Sequence, residues 1–175
     1  MLRTSALQVV AKPGRFGADR GAPGVVLSVI CPKSLVMVLV RKGKAKAVQE
    51  VFDGWKKVVF LWAGPDQFYI YNTPHAELKK RLEGLASVVD QSHSRVVIHV
   101  DGPKTRALLA KGTPIDLHES EFPIGKSALT QMAHVSVHLT RTGQDEFTLS
   151  VFRGFSESFW EWLTSQAGEF GYQVS

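Results

Sequence analysis

Six consecutive residues, Asp90–Arg95 (DQSHSR), place a carboxylate, two hydroxyls and an imidazole close together. These are the groups of a hydrolytic triad, in which an acid orients a histidine and the histidine takes the proton of the nucleophile. If the segment is extended, however, the alternation of side chains puts Ser92 and His93 on opposite faces. The segment also lacks the Gly-x-Ser-x-Gly turn that exposes a nucleophilic serine. The pattern therefore favours a polar turn whose side chains bond to backbone groups.

The other histidines and the single cysteine do not predict a metal centre. His134 and His138 bracket the stretch HVSVH. On a strand they point the same way, but their backbones lie about 13 Å apart, which is too far for one zinc ion. Cys31 is the only cysteine, which excludes an intrachain disulfide and a cysteine-based zinc site. The stretches GKAK and GPK lack the spacing of a phosphate-binding glycine loop. We therefore expect no cofactor and no metal on this chain.

An internal repeat indicates how the chain is organised. SLVMVLVRKGKAKAVQ (34–49) aligns with SRVVIHVDGPKTRALL (94–109) at an offset of 60 residues. GPDQFYIY (64–71) aligns with GQDEFTLS (143–150) at an offset of 79. Chance could produce either match alone, but two matches in the same order favour a duplication. The second copy carries about 19 more residues, at roughly 112–133.

The repeat predicts an α+β fold in a single domain at residues 24–175. That domain consists of two ferredoxin-like half-repeats at about 25–84 and 86–172. Each half reads as strand, helix, strand, strand and helix, with one further strand in front. The helices then pack on a mainly antiparallel sheet.

The apolar segments do not predict a membrane span. The longest of them, VVLSVICPKSLVMVLV, is interrupted by Pro32 and Lys33 and therefore reads as two strands joined by a turn. The N-terminal stretch LQVVA is too short for the apolar part of a signal peptide. We expect a soluble cytoplasmic protein.

Two helices carry start signals. Thr73 is predicted to cap the first, with Pro74 at its first position, and Ser156 is predicted to cap the last. The predicted core stripe of the last helix consists of Phe155, Phe159, Leu163 and Phe170. Trp160 lies beside this stripe. It can pack against Phe155 as a hydrophobic staple, or it can anchor a partner protein.

The N-terminal segment is predicted to be an extended arm over residues 1–23. It contains three Gly and two Pro and no sustained periodicity. Residues 1–57 also hold 11 Lys/Arg against 3 Asp/Glu. We expect the arm to lie along a partner, with Lys12, Arg15 and Arg20 facing acidic groups and Phe16 making apolar contact. A frayed terminus is the alternative. Nucleic-acid binding is a less favoured interpretation of this positive charge, because the basic residues do not alternate with exposed aromatics.

Several stretches together resemble a known family. VVDQSHSR, followed by a strand and then GPKTRALLAKGTPIDLH, resembles the folate-binding domain of the glycine-cleavage T-protein. The set is more similar to the gamma subunit family of heterotetrameric sarcosine oxidase. SALQVVAKPGRFGA, SLVMVLVRKG, FLWAGPDQFYIY and FSESFWEWLTSQAGEFGY extend the likeness over most of the chain. The T-protein fold is itself expected to be a duplicated half-domain.

The resemblance implies a role for the chain in a larger enzyme. In that family the assembled oxidase converts sarcosine to glycine, passes a one-carbon unit to tetrahydrofolate and forms hydrogen peroxide. FAD, FMN, NAD, zinc and tetrahydrofolate are then expected on the other subunits, and this chain is expected to be a non-catalytic partner of the alpha, beta and delta subunits. T-proteins carry a catalytic aspartate in a glycine-rich segment before the last hairpin. The corresponding stretch here, FPIGKSALTQMAHVSVHLTRTGQDEF, has no aspartate before Asp145.

Three other functions stay open at this point. One is the equivalent subunit of an N-methylglutamate dehydrogenase-type complex. Another is a stand-alone folate-binding, aminomethyltransferase-like enzyme. The third is a basic ferredoxin-like module that binds nucleic acid.

Overall fold

The computed structural model describes residues 5–18 and 21–175, which form eleven strands and four α-helices in the described part of the chain. The strands are β1 (Gly14–Phe16), β2 (Val25–Ile30), β3 (Leu35–Val40), β4 (Phe60–Gly64), β5 (Gln67–Tyr71), β6 (Ala86–Asp90), β7 (Arg95–Asp101), β8 (Ser127–Met132), β9 (Val135–Arg141), β10 (Phe147–Phe152) and β11 (Tyr172–Val174). The helices are α1 (Ala45–Asp53), α2 (His75–Arg81), α3 (Thr105–Ala110) and α4 (Ser156–Ala167), with 3₁₀ turns at Arg153–Phe155 and Gly168–Phe170.

The chain divides into two compact units, each built on its own sheet. The smaller unit is Pro32–Ser94, with strand order β4-β5-β3-β6. The larger unit comprises the residues up to Cys31 together with Arg95–Ser175, with strand order β1-β11-β2-β7-β10-β9-β8. All pairs are antiparallel except β11 with β2. The predicted α+β class, with mainly antiparallel sheets and packed helices, is confirmed.

Both units follow the order of elements that the repeat predicts. The smaller unit runs β3-α1-β4-β5-α2 and the larger runs β7-α3-β9-β10-α4, with β8 added at the edge of its sheet. The unit boundaries differ from the half-repeats expected at 25–84 and 86–172, because β2 pairs with β7 and β6 pairs with β3. The first strand of each predicted half therefore belongs to the sheet of the other half. That the halves superimpose stays a prediction.

The core of the smaller unit follows directly from its sequence patterns. Val36 and Val38 in β3 are fully buried on one face of the strand, whereas Met37 and Leu39 on the other face are less buried. Val48 and Phe52 stand four residues apart in α1, so both point toward this sheet. The ring of Phe52 stacks on Phe60 with a centroid distance of 3.6 Å.

The N-terminal segment belongs partly to the core of the larger unit, which corrects the extended arm expected over residues 1–23. Residues 6–10 form a turn, in which the N–H of Ala11 donates to the carbonyl of Leu7 at 2.8 Å. The Leu7 side chain is 0% exposed and packs with the core of this unit. Burial of the Leu7 side chain stabilises the turn, because apolar surface is removed from water. Residues 1–4 and 19–20 of the expected arm lie outside the described residues.

Both predicted helix caps are wrong. Pro74 is the N-cap of α2, and the Thr73 hydroxyl donates to the carbonyl of Tyr71. Ser156 is the first residue of α4, and its hydroxyl donates to Arg153 at 2.8 Å. A 3₁₀ turn leads straight into α4, so this hydroxyl bonds backward and does not receive a helix N–H. Within the described residues, no helix is long and apolar enough to cross a bilayer.

Candidate partner interface

The polar segment Asp90–Arg95 forms the turn between β6 and β7. The backbone N–H of Ser92 donates to the Asp90 carboxylate at 2.8 Å, and the N–H of Leu35 donates to the Ser92 hydroxyl at 2.9 Å. The Ser94 hydroxyl bonds to the carbonyl of Gln91 and to its side chain. The predicted bonding of these side chains to turn backbone is therefore confirmed. The segment itself turns at residues 92–94 and is not extended.

The carboxylate of Asp90 is held in its ionised form by this turn. The hydroxyl and the backbone N–H of Ser92 hold the pKa of Asp90 below its usual range, and His75 and His93 add in the same direction. Slight burial opposes the shift. A hydrogen bond to the charged form has this effect because it stabilises that form selectively. His93 is exposed and Ser92 is buried, so the two groups lie in different environments.

The two histidines of HVSVH do not share a strand face, which corrects that expectation. Ala133 and His134 form the two-residue turn between β8 and β9, with φ of 50° and 65°. Two successive positive φ values are the geometry of a tight hairpin turn whose twist matches its strands. His138 lies inside β9 and is buried. Among the described residues, no three His, Cys, Asp or Glu side chains are placed to hold one metal ion.

Helix α4 buries most of its predicted core stripe. Phe159 and Leu163 are fully buried, and Phe170 packs against the same core. Phe155 is 57% exposed, so its predicted place in the stripe is wrong. Trp160 is only 5% exposed. The indole lies on a second face of α4 that carries Glu157, Glu161 and Thr164.

That second face forms one wall of an open groove of about 760 Å³, here called the aromatic groove. The groove brings together three of the five residues predicted to meet a partner, namely Lys12, Phe16 and Trp160. Its other wall consists of the strands β1 and β11. Phe16 pairs with Tyr172 across these strands, and the two rings stack with centroids 5.3 Å apart. An exposed Phe16 stacked on a half-buried Tyr172, beside a buried indole, forms a surface suited to protein contact.

Charges of both signs line the aromatic groove. Lys12 stands on one side, and Glu157 and Glu161 stand on the exposed side of α4. This surface therefore differs from the purely basic arm that the sequence predicts. It suits a partner that presents an apolar side chain to the aromatic floor and mixed charges to the rim.

The remaining predicted contact residues lie elsewhere. Arg15 neighbours Phe16 on β1, but side chains alternate along a strand and Arg15 does not line the groove. Arg20 lies outside the described residues. Tyr172 lies in GYQV, which offers only a glycine followed by a short alternation as a strand signal, so the sequence does not predict its place in this groove.

Comparisons with known proteins agree on a family. The family described as "Sarcosine oxidase, gamma subunit family" matches residues 23–169. A sarcosine oxidase subunit gamma from Corynebacterium sp. (strain U-96) is 32% identical over 133 residues, which cover 73% of this chain and 65% of the relative. The corresponding protein from Arthrobacter sp. is 29% identical over 133 residues, with coverage of 73% and 66%. The chain thus spans just under two thirds of the length of these relatives.

Solved structures show the same fold. A chain of the heterotetrameric sarcosine oxidase from Corynebacterium sp. U-96, in complex with pyrrole 2-carboxylate, matches with a TM-score of 0.82 and 23% identity, over 97% of both chains. The glycine cleavage system aminomethyltransferase T from Bartonella henselae matches with a TM-score of 0.56 and 20% identity, over 83% of this chain and 49% of that one. The T-protein-like fold that the sequence predicts is confirmed.

Proposed function

Because this chain belongs to the sarcosine oxidase gamma subunit family, we propose that it is the gamma subunit of a heterotetrameric sarcosine oxidase. The observation that carries the proposal is the extent of the family match, which spans residues 23–169 and therefore includes both units. A likeness confined to one unit would support a shared fold only. The backbone match over 97% of a chain from such an oxidase supports the same reading.

The complex then demethylates sarcosine by oxidation. The methyl carbon gives up two electrons, which reduce oxygen to hydrogen peroxide. The oxidised carbon passes to tetrahydrofolate, and glycine is released. FAD, FMN, NAD, zinc and tetrahydrofolate are assigned in this proposal to the alpha, beta and delta subunits. The present chain is proposed to be a non-catalytic subunit with a structural role.

The polar turn supports a structural role for this chain. A nucleophilic serine needs a hydroxyl that is free to lose its proton to a histidine at hydrogen-bonding distance. The Ser92 hydroxyl instead accepts a hydrogen bond from the Leu35 backbone in a buried turn. Its second role is to stabilise the Asp90 carboxylate. The bond to Leu35 connects the turn after β6 to the start of β3, the contact with Asp90 is local to the turn, and neither needs a substrate.

The aromatic groove is the surface that we assign to contact with a neighbouring subunit. Phe16 is 41% exposed and stacks on Tyr172, so a partner can cover a pre-ordered ring pair without ordering it first. Trp160 lines the same groove as this ring pair. Lys12 then meets an acidic group of that subunit, and Glu157 and Glu161 meet basic ones. Contact of Arg15 and Arg20 with a partner stays a prediction.

Co-purification from the native source tests the proposal. An affinity tag on this chain should recover three further subunits, which mass spectrometry identifies, and the eluate should oxidise sarcosine with formation of peroxide. Phe16→Ser should reduce the recovered complex severalfold, since a central aromatic contact is lost. Phe155→Ser is the matched control, because Phe155 is also an exposed phenylalanine of the same unit, at 57% against 41% for Phe16, and does not line the groove. Recovery of this chain alone would contradict the proposal.

Binding experiments on the isolated chain distinguish the proposed function from that of a folate-dependent enzyme. Titration with tetrahydrofolate should give no saturable binding, and the purified chain should carry no flavin absorbance. Stoichiometric folate binding would favour an aminomethyltransferase-like enzyme.

A further inference from the structure

The smaller unit has a second concave surface, formed between helix α2 and the edge strand β6. This surface, here called the basic groove, has a volume of about 580 Å³. Its charged lining consists of Arg41, Lys79, Lys80 and Glu83. Its floor includes Ala86–Val88 of β6.

Three cations and one carboxylate, Glu83, line the basic groove, so its lining carries a net positive charge. All three cations are exposed. Among the described residues, none of the three has a carboxylate oxygen within 4.0 Å, whereas Arg81 on the same helix pairs with Glu77 at 3.5 Å. The smaller unit as a whole holds 10 Lys/Arg against 6 Asp/Glu. The groove therefore attracts negative charge.

The floor of the basic groove offers backbone groups to an extended chain. The N–H of Gln91 donates to Leu35, and the N–H of Arg41 donates to Leu85, so the odd-numbered residues of β6 bond to β3. The even-numbered residues then direct their N–H and C=O groups away from β3.

Helix α2 already occupies two of these outward groups. Leu82 accepts from the N–H of Ala86 at 3.0 Å, and the His75 imidazole bonds to the carbonyl of Val88 at 3.1 Å. The carbonyl of Ala86 and the N–H of Val88 remain on the open edge. In a parallel ladder, this pair of groups on either side of Ser87 bonds to one residue of an added strand.

We propose that the basic groove docks an acidic, extended segment of a neighbouring protein subunit. One residue of the segment bonds to Ala86 and Val88, and carboxylates nearby meet Arg41, Lys79 and Lys80. This is strand addition to a sheet edge, with charge providing the selectivity. The inference rests on the proposed function for the identity of the partner, but not for the chemistry of the site.

A defined peptide tests the site on the full chain. Fluorescein-labelled (Glu-Thr)5 places its carboxylates on one face of a strand, and (Gln-Thr)5 is its neutral counterpart. Fluorescence anisotropy should show saturable binding of the acidic peptide only. Lys79→Glu/Lys80→Glu should weaken that binding about tenfold, because two attractions become repulsions. Added salt at 0.5 M should weaken binding to the native chain as well.

The matched control is Lys56→Glu/Lys57→Glu. These lysines are also adjacent, exposed and in the smaller unit, but they do not line the groove. This control should bind within about twofold of the native chain. Equal weakening by both double variants would overturn the proposal, because binding would then follow net charge alone. A (dT)10 oligonucleotide that binds more tightly than the peptide, with the same dependence on Lys79 and Lys80, would overturn it in favour of nucleic acid.

The two proposals fail in different ways. If the native chain binds the peptide at Lys79 and Lys80 but recovers no oxidase subunits, the groove stands and the proposed function fails. If the native chain assembles and the Lys79→Glu/Lys80→Glu variant assembles equally well, the groove does not dock a subunit of that complex and the inference fails alone.

Discussion

The two units are built on the same order of elements and differ in what holds the elements together. In the smaller unit, apolar and aromatic contacts such as Phe52 on Phe60 make the core, and its charged groups lie outside. The larger unit also buries a guanidinium. Arg141 is 2% exposed and donates to the carbonyls of Phe122, Gly143 and Gln144 at 2.9, 3.0 and 2.8 Å.

The position of Arg141 explains this difference. Phe122 lies in the segment that the second copy carries in excess, and Gly143 and Gln144 lie in the turn before β10. One side chain therefore connects the added segment to the repeated scaffold through three backbone carbonyls, one of which, that of Gln144, also accepts from Arg106 at 2.7 Å. The smaller unit lacks the added segment, so it needs no buried arginine to hold one. The comparison indicates that the insertion in the larger unit required its own buried anchor.

The largest effect should come from the part of the larger unit that has no counterpart in the smaller one. Leu7→Ala should lower the free energy of unfolding by about 3 kcal/mol, because it removes a fully buried side chain and leaves a cavity. Val9→Ala, at a position 77% exposed, should change it by less than about 0.5 kcal/mol. Urea denaturation measures both. Equal effects would mean that the N-terminal segment is not part of this core.

Replacing the buried anchor, Arg141, should lower the free energy of unfolding by less than Leu7→Ala does, but by more than replacing an exposed arginine. Arg141→Met keeps much of the side-chain volume and should cost about 2 kcal/mol, since three carbonyls lose a charged donor. Arg81→Met in the smaller unit should cost under about 1 kcal/mol, because Arg81 makes an exposed ion pair and lies over the Trp55 ring at 4.2 Å. Thermal unfolding of the two variants side by side checks the order. If Arg141→Met lost less stability than Arg81→Met, the proposed role of Arg141 as a buried anchor would be wrong.

The polar turn should contribute a smaller amount to the smaller unit. Ser92→Ala should cost about 1 kcal/mol, because the buried N–H of Leu35 loses its acceptor. Ser87→Ala, on an exposed position of β6, is the control and should be near neutral. Denaturant titration distinguishes the two. A neutral Ser92→Ala would mean that water replaces the hydroxyl.

The smallest effect should depend on pH. The pKa of Asp90 is lowered in the folded chain, so its ionised form stabilises the fold above its unfolded pKa of about 3.9. That contribution is lost as pH falls through the lower folded pKa. Asp90→Asn should therefore be less stable than the native chain near neutral pH, and the gap should close below about pH 4. A gap that stays constant down to about pH 2 would contradict the role of this carboxylate.

The sequence predicts the elements better than their pairing, for a physical reason. Apolar runs rich in β-branched residues, LVMVLV and RVVIHVD, mark β3 and β7 as strands, and the repeat gives their order. The repeat does not reveal that β2 pairs with β7, because a buried strand has the same apolar composition whichever neighbouring strand it joins. The turn at Ala133–His134 was missed for a similar reason, since neither residue is a glycine and the alternation runs through it.

The candidate surfaces were predictable only in part. Lys12, Phe16 and Trp160 were identified from charge, exposure and aromatic character, and the structure gathers them in one groove. Tyr172 was not, because a three-residue strand gives almost no periodic signal. The basic groove depends on Arg41 reaching the surface that Lys79 and Lys80 form, which is a tertiary arrangement. Local patterns cannot supply such an arrangement.

The most direct test of a structural role is turnover by the assembled oxidase. The complex is reconstituted with this chain carrying Ser92→Ala or His93→Ala, its four-subunit composition is verified by native mass spectrometry, and peroxide formation from sarcosine is measured. Turnover should stay within about tenfold of the native complex, because we propose that the turn stabilises the fold and takes no part in the reaction. Loss of a triad member typically costs on the order of 10³ or more. A loss of that size in a fully assembled complex would contradict the account.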